Sequence, residues 1–279
     1  MTSNQDRAKG TQAPCITNLL RVTLVTLMFC LAFPLYSCSP QEEEWTPAPR
    51  EVGPYYEERF FSQVDGRYRY KDASVTVEKT GVDVSDHQGV IDWDSVAADG
   101  IDFAFIRIGY RGTTEGGLFV DERFSSNLLG AQEAGIECGV YFFSQATTVE
   151  EAEEEAAFVL GLLDGCQLDY PVAFDYECSA ETRISNVSSQ TATEAARAFC
   201  SAIQQGGYEA MIYGNAYDLA RFDYHWIADY PLWLAEYGSN PSYERRAIIW
   251  QYTSEGVVNG INSHVDLNLD LSEVRATRG

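Results

Sequence analysis

From Gly81 onward the chain repeats one unit, a short apolar run followed by a stretch with helical spacing or a polar loop. The strand candidates are residues 81–85, 102–110, 137–144, 171–177, 210–215, 231–237, 247–253 and 265–270. Helical spacing fits residues 93–99, 122–134, 148–163, 191–205 and a short segment at 216–222. Ser189 or Thr191 can cap the fourth helix, with Glu194 completing a capping box from Thr191. Glu150 to Glu155 crowd negative charge into the first turns of the third, where the helix dipole favours it. Strands alternating with helices imply a parallel sheet. Eight strands with five helices predict an α/β fold, an irregular TIM-like (β/α)5(β)3 barrel whose last three units lack helices.

In such a barrel, reactive groups sit at the C-terminal ends of the strands. Reading each strand by period two puts Asp83 and Ser85 on one face of the first strand and Val82 and Val84 on the other. The same reading offers Arg107, Tyr141, then Asp175 with Glu177, Tyr213 with Asn215, Trp233 with Tyr237, Gln251, and Asp266 with Asn268. A polar residue inside one strand is usually a satisfied structural group. Late polar positions on most of eight strands point to a site. The sharpest feature is Pro171-Val-Ala-Phe-Asp175-Tyr-Glu177. Its alternation places two carboxylates on one face, with Cα atoms roughly 6.6 Å apart. Carboxyls that close cannot both ionise freely, so one stays protonated and can serve as a general acid. Paired carboxylates are the working parts of glycoside hydrolysis. A solvated edge strand with two idle acids fits poorly, because the opposite face is wholly apolar or aromatic.

The first eighty residues are of another kind. Residues 1–37 carry Arg7, Lys9 and Arg21 against Asp6 and run into an apolar stretch from Val22 to Tyr36. That stretch is short for a membrane span and has the flanks of a signal peptide, which predicts export. Leu35-Tyr-Ser-Cys38 resembles a bacterial lipobox, in which Cys38 is lipidated; ordinary cleavage nearby and an uncleaved anchor remain open. Residues 39–54 hold three consecutive glutamates and four prolines and read as an extended tether. Residues 55–79 are aromatic around an Asp65-Gly66 turn signal and read as a small hairpin-like extension on the domain at 80–279. From Gly81 to the end, 32 acidic side chains face 10 basic ones, which excludes nucleic acid as a partner. Cys138, Cys166, Cys178 and Cys200 allow three full disulfide pairings, and free thiols fit equally. No zinc spacing, P-loop or dinucleotide-binding glycine motif occurs.

Taken together, these residues resemble the glycoside hydrolase family 25 muramidases, lysozymes with a (β/α)5(β)3 barrel. The resemblance spans roughly residues 80–271. It rests on Gly81-Val-Asp-Val-Ser-Asp-His-Gln-Gly89, Asp102-Phe-Ala-Phe-Ile-Arg107, Gly139-Val-Tyr-Phe-Phe143 and Val172-Ala-Phe-Asp-Tyr-Glu177. It continues through Gly207-Tyr208, Ile212-Tyr-Gly-Asn215, Leu232-Trp-Leu-Ala-Glu-Tyr237, Ile249-Trp-Gln-Tyr-Thr253 and Val265-Asp-Leu-Asn268. Arg107 stands where many members carry lysine, keeping the charge but changing its geometry.

The resemblance implies cleavage of the β-1,4 bond between N-acetylmuramic acid and N-acetylglucosamine, with peptidoglycan strands as partner, a monomeric chain, and neither metal nor cofactor. Glu177 is then the general acid, and Asp175 orients the substrate's own acetamide for net retention. Asp83 and Asp266 are supporting acids. Tyr141, Asn215, Trp233, Tyr237 and Gln251 are candidate sugar contacts, although barrel filling suits the aromatics equally. A chitinase-type hydrolase would carry a further Asp where this chain has Ala173. A cell-wall-binding barrel that has lost catalysis has no reason to keep both Asp175 and Glu177. A phosphodiesterase-like barrel lacks its His and carboxylate cluster, since His87, His225 and His264 are scattered.

Overall fold

The computed structural model describes residues 55–276, with side chains through Val274. The expected export segment, Cys38 and the expected tether lie outside the described residues. After a single 3-10 turn at Glu58–Phe60 comes a three-stranded antiparallel sheet of β1 (Phe61–Val64), β2 (Arg67–Lys71) and β3 (Thr76–Val77). β1 and β2 pair with Val64 opposite Arg67, joined by Asp65 and Gly66 at φ 52° and 79°. Both central residues at positive φ match the twist of a tight hairpin.

The barrel follows. β4 (Thr80–Val84) leads through α1 (Trp93–Ala98) to β5 (Phe103–Arg111). The end of β5 carries a short antiparallel strand, β6 (Leu118–Val120), and the chain continues into α2 (Phe124–Glu133). Next come β7 (Glu137–Phe143), α3 (Val149–Leu163), β8 (Val172–Asp175), α4 (Ser189–Gln205) and β9 (Ala210–Asn215). Two single-turn helices, α5 (Ala216–Leu219) and α6 (Tyr224–Ile227), precede β10 (Leu232–Ala235). β11 (Ile249–Gly256), β12 (Val265–Asp270) and a terminal α7 (Ser272–Ala276) complete the order. The strands close in the sequence β4-β5-β7-β8-β9-β10-β11-β12, with β12 antiparallel to both β11 and β4. All eight expected strands form, and no helix follows β10 or β11. β6 was not legible in the pattern.

The N-terminal half of the barrel is filled by Phe103, Phe105, Ala173, Met211, Trp233 and Ile249. Gly81 makes this possible, because a Cβ there would lie 2.3 Å from the Phe103 ring. Phe105 and Trp233 stack at 4.3 Å, so the interior is closed below and opens only at the C-terminal end. Outside the wall, the helices bury their own apolar faces. α3 is capped by Thr148, as its negative first turn requires, and is tied to β5 by a buried ion pair between Arg111 Nε and Glu155 Oε1 at 2.7 Å. α4 is capped by Ser188, one residue before the expected Ser189. Thr191 supplies the capped N–H rather than a capping oxygen, and Glu194 accepts from Gln190 instead.

Where helices are missing, the first sheet covers the wall. Tyr68 packs on Trp250 at 4.8 Å and on Tyr252 at 5.1 Å, and Phe61 meets Trp250 edge-on at 5.3 Å. The Tyr56 hydroxyl donates to the Ala247 carbonyl, and Tyr68 donates to the Gly238 carbonyl at 2.8 Å. Cys138, Cys178 and Cys200 are free thiols, so none of the three full pairings forms. Burial pushes the Cys138 thiol up to about 12. No helix among the described residues is long and apolar enough to cross a membrane.

Candidate active site

The C-terminal mouth of the barrel holds a cavity of about 320 Å³ lined by Asp83, Arg107, Tyr141, Phe143, Asp175, Glu177, Tyr213, Trp233, Tyr237, Gln251 and Asp266. The closed sheet brings in Asp83 from β4 and Asp266 from β12, which are opposite one another in the ladder. Asp175 is the last residue of β8, paired with Phe143 on one side and Tyr213 on the other. Glu177 follows two residues later. Four acids thus converge from three parts of the chain, as period-two reading placed them.

Each acid is held differently. Asp83 Oδ2 accepts from Gln251 Nε2 at 3.0 Å and from Asn268 Nδ2 at 2.8 Å. Burial pushes its carboxyl well above the usual range, and the Asp266 charge adds to that. Burial also raises Asp266. Asp175 is fully inside, and one of its oxygens has no hydrogen-bond partner. Burial drives its carboxyl far up, helped by the Glu177 charge and by a hydrogen bond that a protonated Asp175 donates to Glu177. Glu177 is raised first by burial and then by the charge on Asp218, while the hydrogen bond from Asp175 pulls it back down. The pair therefore shares a proton that rests on Asp175 and points at Glu177. Such a dyad titrates as a unit.

The floor and walls complete the cavity. Trp233 is buried, donates from Nε1 to Asn268 Oδ1 at 2.8 Å and contacts Tyr213 at 4.6 Å, so it both fills the barrel and floors the site. Gln251 Oε1 accepts from Tyr213 and Tyr237 at 3.1 and 3.3 Å. With its amide nitrogen on Asp83, Gln251 is largely engaged within the protein. Tyr141 is raised by burial and lies beside Asp83. Tyr237 is 59% exposed at the rim, free to present a ring face to a ligand. Asn215 is not among the lining residues. Its Oδ1 caps α5 through the N–H groups of Tyr217 and Asp218, and its Nδ2 donates to Asp218 Oδ2 at 2.6 Å.

Three lining residues had no role among the expected acids and sugar contacts: Arg107, Tyr213 and Phe143. Arg107 reaches the wall from β5, donating from Nε to Asp121 Oδ2 at 2.7 Å and from its terminal nitrogen to Asp86. Its place beside Phe103 and Phe105 in the alternation was the signal for it. Tyr213 showed the same periodicity. Phe143 shares the Tyr141 face by the same period, but an apolar side chain there reads as barrel filling. Among the described residues, no group of three or more His, Cys, Asp or Glu could hold a metal ion.

Comparison with known proteins agrees with this geometry. The model of the glycosyl hydrolases family 25 matches residues 82–261. The autolytic lysozyme of Clostridium acetobutylicum is 28% identical over 189 residues, 67% of this chain and 54% of that protein. The chain thus spans about half the length of that relative. Lysozyme M1 of Streptomyces globisporus is 29% identical over 202 residues, 67% of this chain and 66% of that one. The solved modular autolysin LytC of Streptococcus pneumoniae, in complex with a synthetic peptidoglycan ligand, superposes with a TM-score of 0.63 at 23% identity. That superposition covers 75% of this chain and 51% of the autolysin, and it shows the same fold. A family match over most of the barrel, with its acids gathered in one mouth, leaves one assignment: the chain belongs to the glycosyl hydrolases family 25.

Proposed function

We propose that this chain is a peptidoglycan hydrolase, an N-acetylmuramidase that cleaves the β-1,4 bond between N-acetylmuramic acid and N-acetylglucosamine. The observation that carries it is the placing of Asp175 and Glu177 side by side at the mouth of the barrel, in one cavity with Asp83 and Asp266. A sugar entering the cavity places its acetamide N–H against Asp175. The carboxyl ionises to accept that hydrogen bond, and its proton passes to Glu177. Glu177 then protonates the glycosidic oxygen as the C1–O bond breaks, while the acetamide carbonyl oxygen closes on C1 to form an oxazolinium ion. Water, deprotonated by Glu177, opens that ion at C1 and returns the proton. Two displacements at C1 give net retention, a substrate-assisted exception to the covalent carboxylate scheme. Asp83 and Asp266 line the cavity facing the cationic intermediate and give it electrostatic and hydrogen-bonding support, and Tyr237 and Trp233 offer ring surface to the sugar. Mass analysis of fragments released from purified peptidoglycan tests this. Muramic acid at the new reducing ends is the expected result; glucosamine ends would assign the other bond.

The N-terminal pattern adds a location. The basic flank, apolar run, Ser37-Cys38 and acidic proline-rich spacer support export and a lipid anchor on Cys38, from which a spacer of this kind lets the domain reach nearby wall. Cys38→Ala should then be released from membranes that retain the wild type. Equal fractionation of the two would leave ordinary secretion.

A further inference from the structure

β8 ends at Asp175, so Glu177 lies beyond the last ladder position and strand register does not fix it. The peptide bond joining Glu177 to Cys178 is nonetheless held at both of its polar atoms. Gln145 Nε2 donates to the Glu177 carbonyl at 3.0 Å, and the Cys178 N–H donates to Asp218 Oδ1 at 3.0 Å. Gln145 is fully buried on the segment between β7 and α3, and its Oε1 has no hydrogen-bond partner. The side chain thus keeps this contact even though its own acceptor goes unpaired, which costs stability. Asp218, on α5, is 2% exposed. Its second oxygen is taken by Asn215 Nδ2 at 2.6 Å, and Asn215 is itself fixed by capping α5. Neither Gln145, Asp218 nor Asn215 lines the cavity.

We propose that Gln145 and Asp218 are positioning residues that lock the Glu177–Cys178 peptide plane and so aim the Glu177 carboxyl, with Asn215 holding Asp218 in place. This rests on reading Glu177 as the general acid. A side chain two residues past a strand end inherits its direction from its peptide planes, and a misplacement near 1 Å costs roughly 100-fold in rate. A cap for α5 alone needs only Asn215; the buried acid behind it is what the clamp explains. The charge on Asp218 has a second effect, because it faces Glu177 and favours its protonated form. The other titratable groups around Glu177 are Asp175 on its own segment and Asp266 from β12. Asp83, Tyr213 and Tyr237 line the same cavity, Arg107 contributes a cation to it, and Arg221 faces Asp218.

The test uses three variants of the full chain on purified peptidoglycan. Gln145→Met removes the donor, Asp218→Ala removes acceptor and charge, and Asp218→Asn keeps one acceptor oxygen for the Cys178 N–H without the charge, giving up the bond from Asn215. The first two should lose roughly 10- to 100-fold in kcat while KM stays within about twofold. Asp218→Asn should recover kcat to within about threefold at acidic pH, with its alkaline limb moved to lower pH. Amide exchange at Cys178, which needs no substrate, should accelerate in Asp218→Ala and stay slow in Asp218→Asn. If Asp218→Ala does not fold, Gln145→Met and Asp218→Asn decide the matter through the same rate and limb. Wild-type kcat in Gln145→Met and Asp218→Ala at unchanged melting temperature would overturn the clamp, as would unaltered exchange at Cys178. A wild-type enzyme that releases no muramic acid ends would instead sink the reading of Glu177, while Cys178 exchange would still decide the clamp.

Discussion

At the scale of single residues, the dyad decides the chemistry. Replacing Glu177 by Gln leaves an amide of nearly the same volume that has no proton of useful acidity. General-acid assistance is worth about 10² to 10⁴ in rate, so lysis by Glu177→Gln should fall by at least the lower figure with the melting temperature unchanged. Wall turnover at the wild-type rate would remove Glu177 from the mechanism. Asp175→Asn tests the shared proton. In the substrate complex, where Asp175 has passed its proton to Glu177, the Asp175 charge raises the Glu177 pKa, whereas an asparagine carries no charge and its amide donates to the Glu177 carboxylate, stabilising its charged form. Both changes lower the Glu177 pKa, and activity is lost once the acid ionises. The alkaline limb of the pH–rate profile should therefore move to lower pH, together with a lower maximum. A limb that stays put would mean that burial and the charges other than Asp175, Asp218 first, set the acid's pKa. The four acids were legible in the sequence because strand periodicity and family spacing both pointed to them. Asp218 and Gln145 were not, because they lie in a single-turn helix and a connecting segment where no periodicity marks a side chain as buried. Asn215 is a different case. It does end β9 on the inward reading, but the helix starting at Ala216 claims its side chain as a cap.

Between elements, the least forgiving contact is the one joining β5 to α3. Arg111 is 4% exposed at its side chain and Glu155 is fully enclosed, with Ser144 donating to the other Glu155 oxygen at 2.6 Å. Burial holds the Glu155 carboxyl up at about 7 despite the hydrogen bonds from Ser144 and Arg111. A pair of this kind adds little over an apolar replacement of both partners, but breaking it strands a charge at a cost of about 3–5 kcal/mol. Arg111→Met should be destabilised on that scale near neutral pH. The sign with pH follows from the direction of the shift. An acid whose folded pKa lies above its unfolded value binds more protons in the folded state, so stability falls as pH rises between the two. Without Arg111 the folded value climbs further, which widens the window beyond pH 7. Urea melts of Arg111→Met should show the larger deficit at pH 8 than at pH 5, and an equal deficit at both would mean that Glu155 is not the stranded charge. Alternating hydrophobicity exposed every barrel strand. It missed β6, whose three residues among glycines are too few to show a period, and it placed the α4 cap one residue late. Both Ser188 and Ser189 are good caps by type, and it is Ser188 that has the extended backbone of a cap, at φ −66° and ψ 154°.

For the whole molecule, the consequential fact is that the barrel's last strands have no helices of their own. A parallel barrel strand buried on both faces needs cover outside as well as filling inside. For β11 that cover is the β1–β2 hairpin, which seals Trp250 to complete burial and leaves Tyr252 at 4% exposure. The family match begins at residue 82, after this sheet, so the cover is supplied by a segment the family model does not include. The catalytic mouth is built entirely from residues after it, and the sheet's nearest approach is the Tyr68 bond to Gly238, beside the cavity-lining Tyr237. Stability and chemistry should therefore separate when the sheet is removed. A chain beginning at Lys79 keeps the β12 contact to the Lys79 carbonyl but bares the outer rings of β11. Re-exposing about 150 Å² of aromatic surface at about 25 cal/mol per Å² costs on the order of 4 kcal/mol. For a domain of this size that lowers Tm by about 10 °C. The truncated chain should also bind more of a hydrophobic dye below its transition, because an apolar wall patch is uncovered. Well below the transition its kcat on peptidoglycan should stay within about threefold of the full chain, since no group of the dyad has lost a partner. A truncated chain that melts at the full-length temperature would show that the hairpin is not a structural cover. One that keeps its Tm but loses activity would place the hairpin in substrate binding, through the Tyr68 contact beside Tyr237.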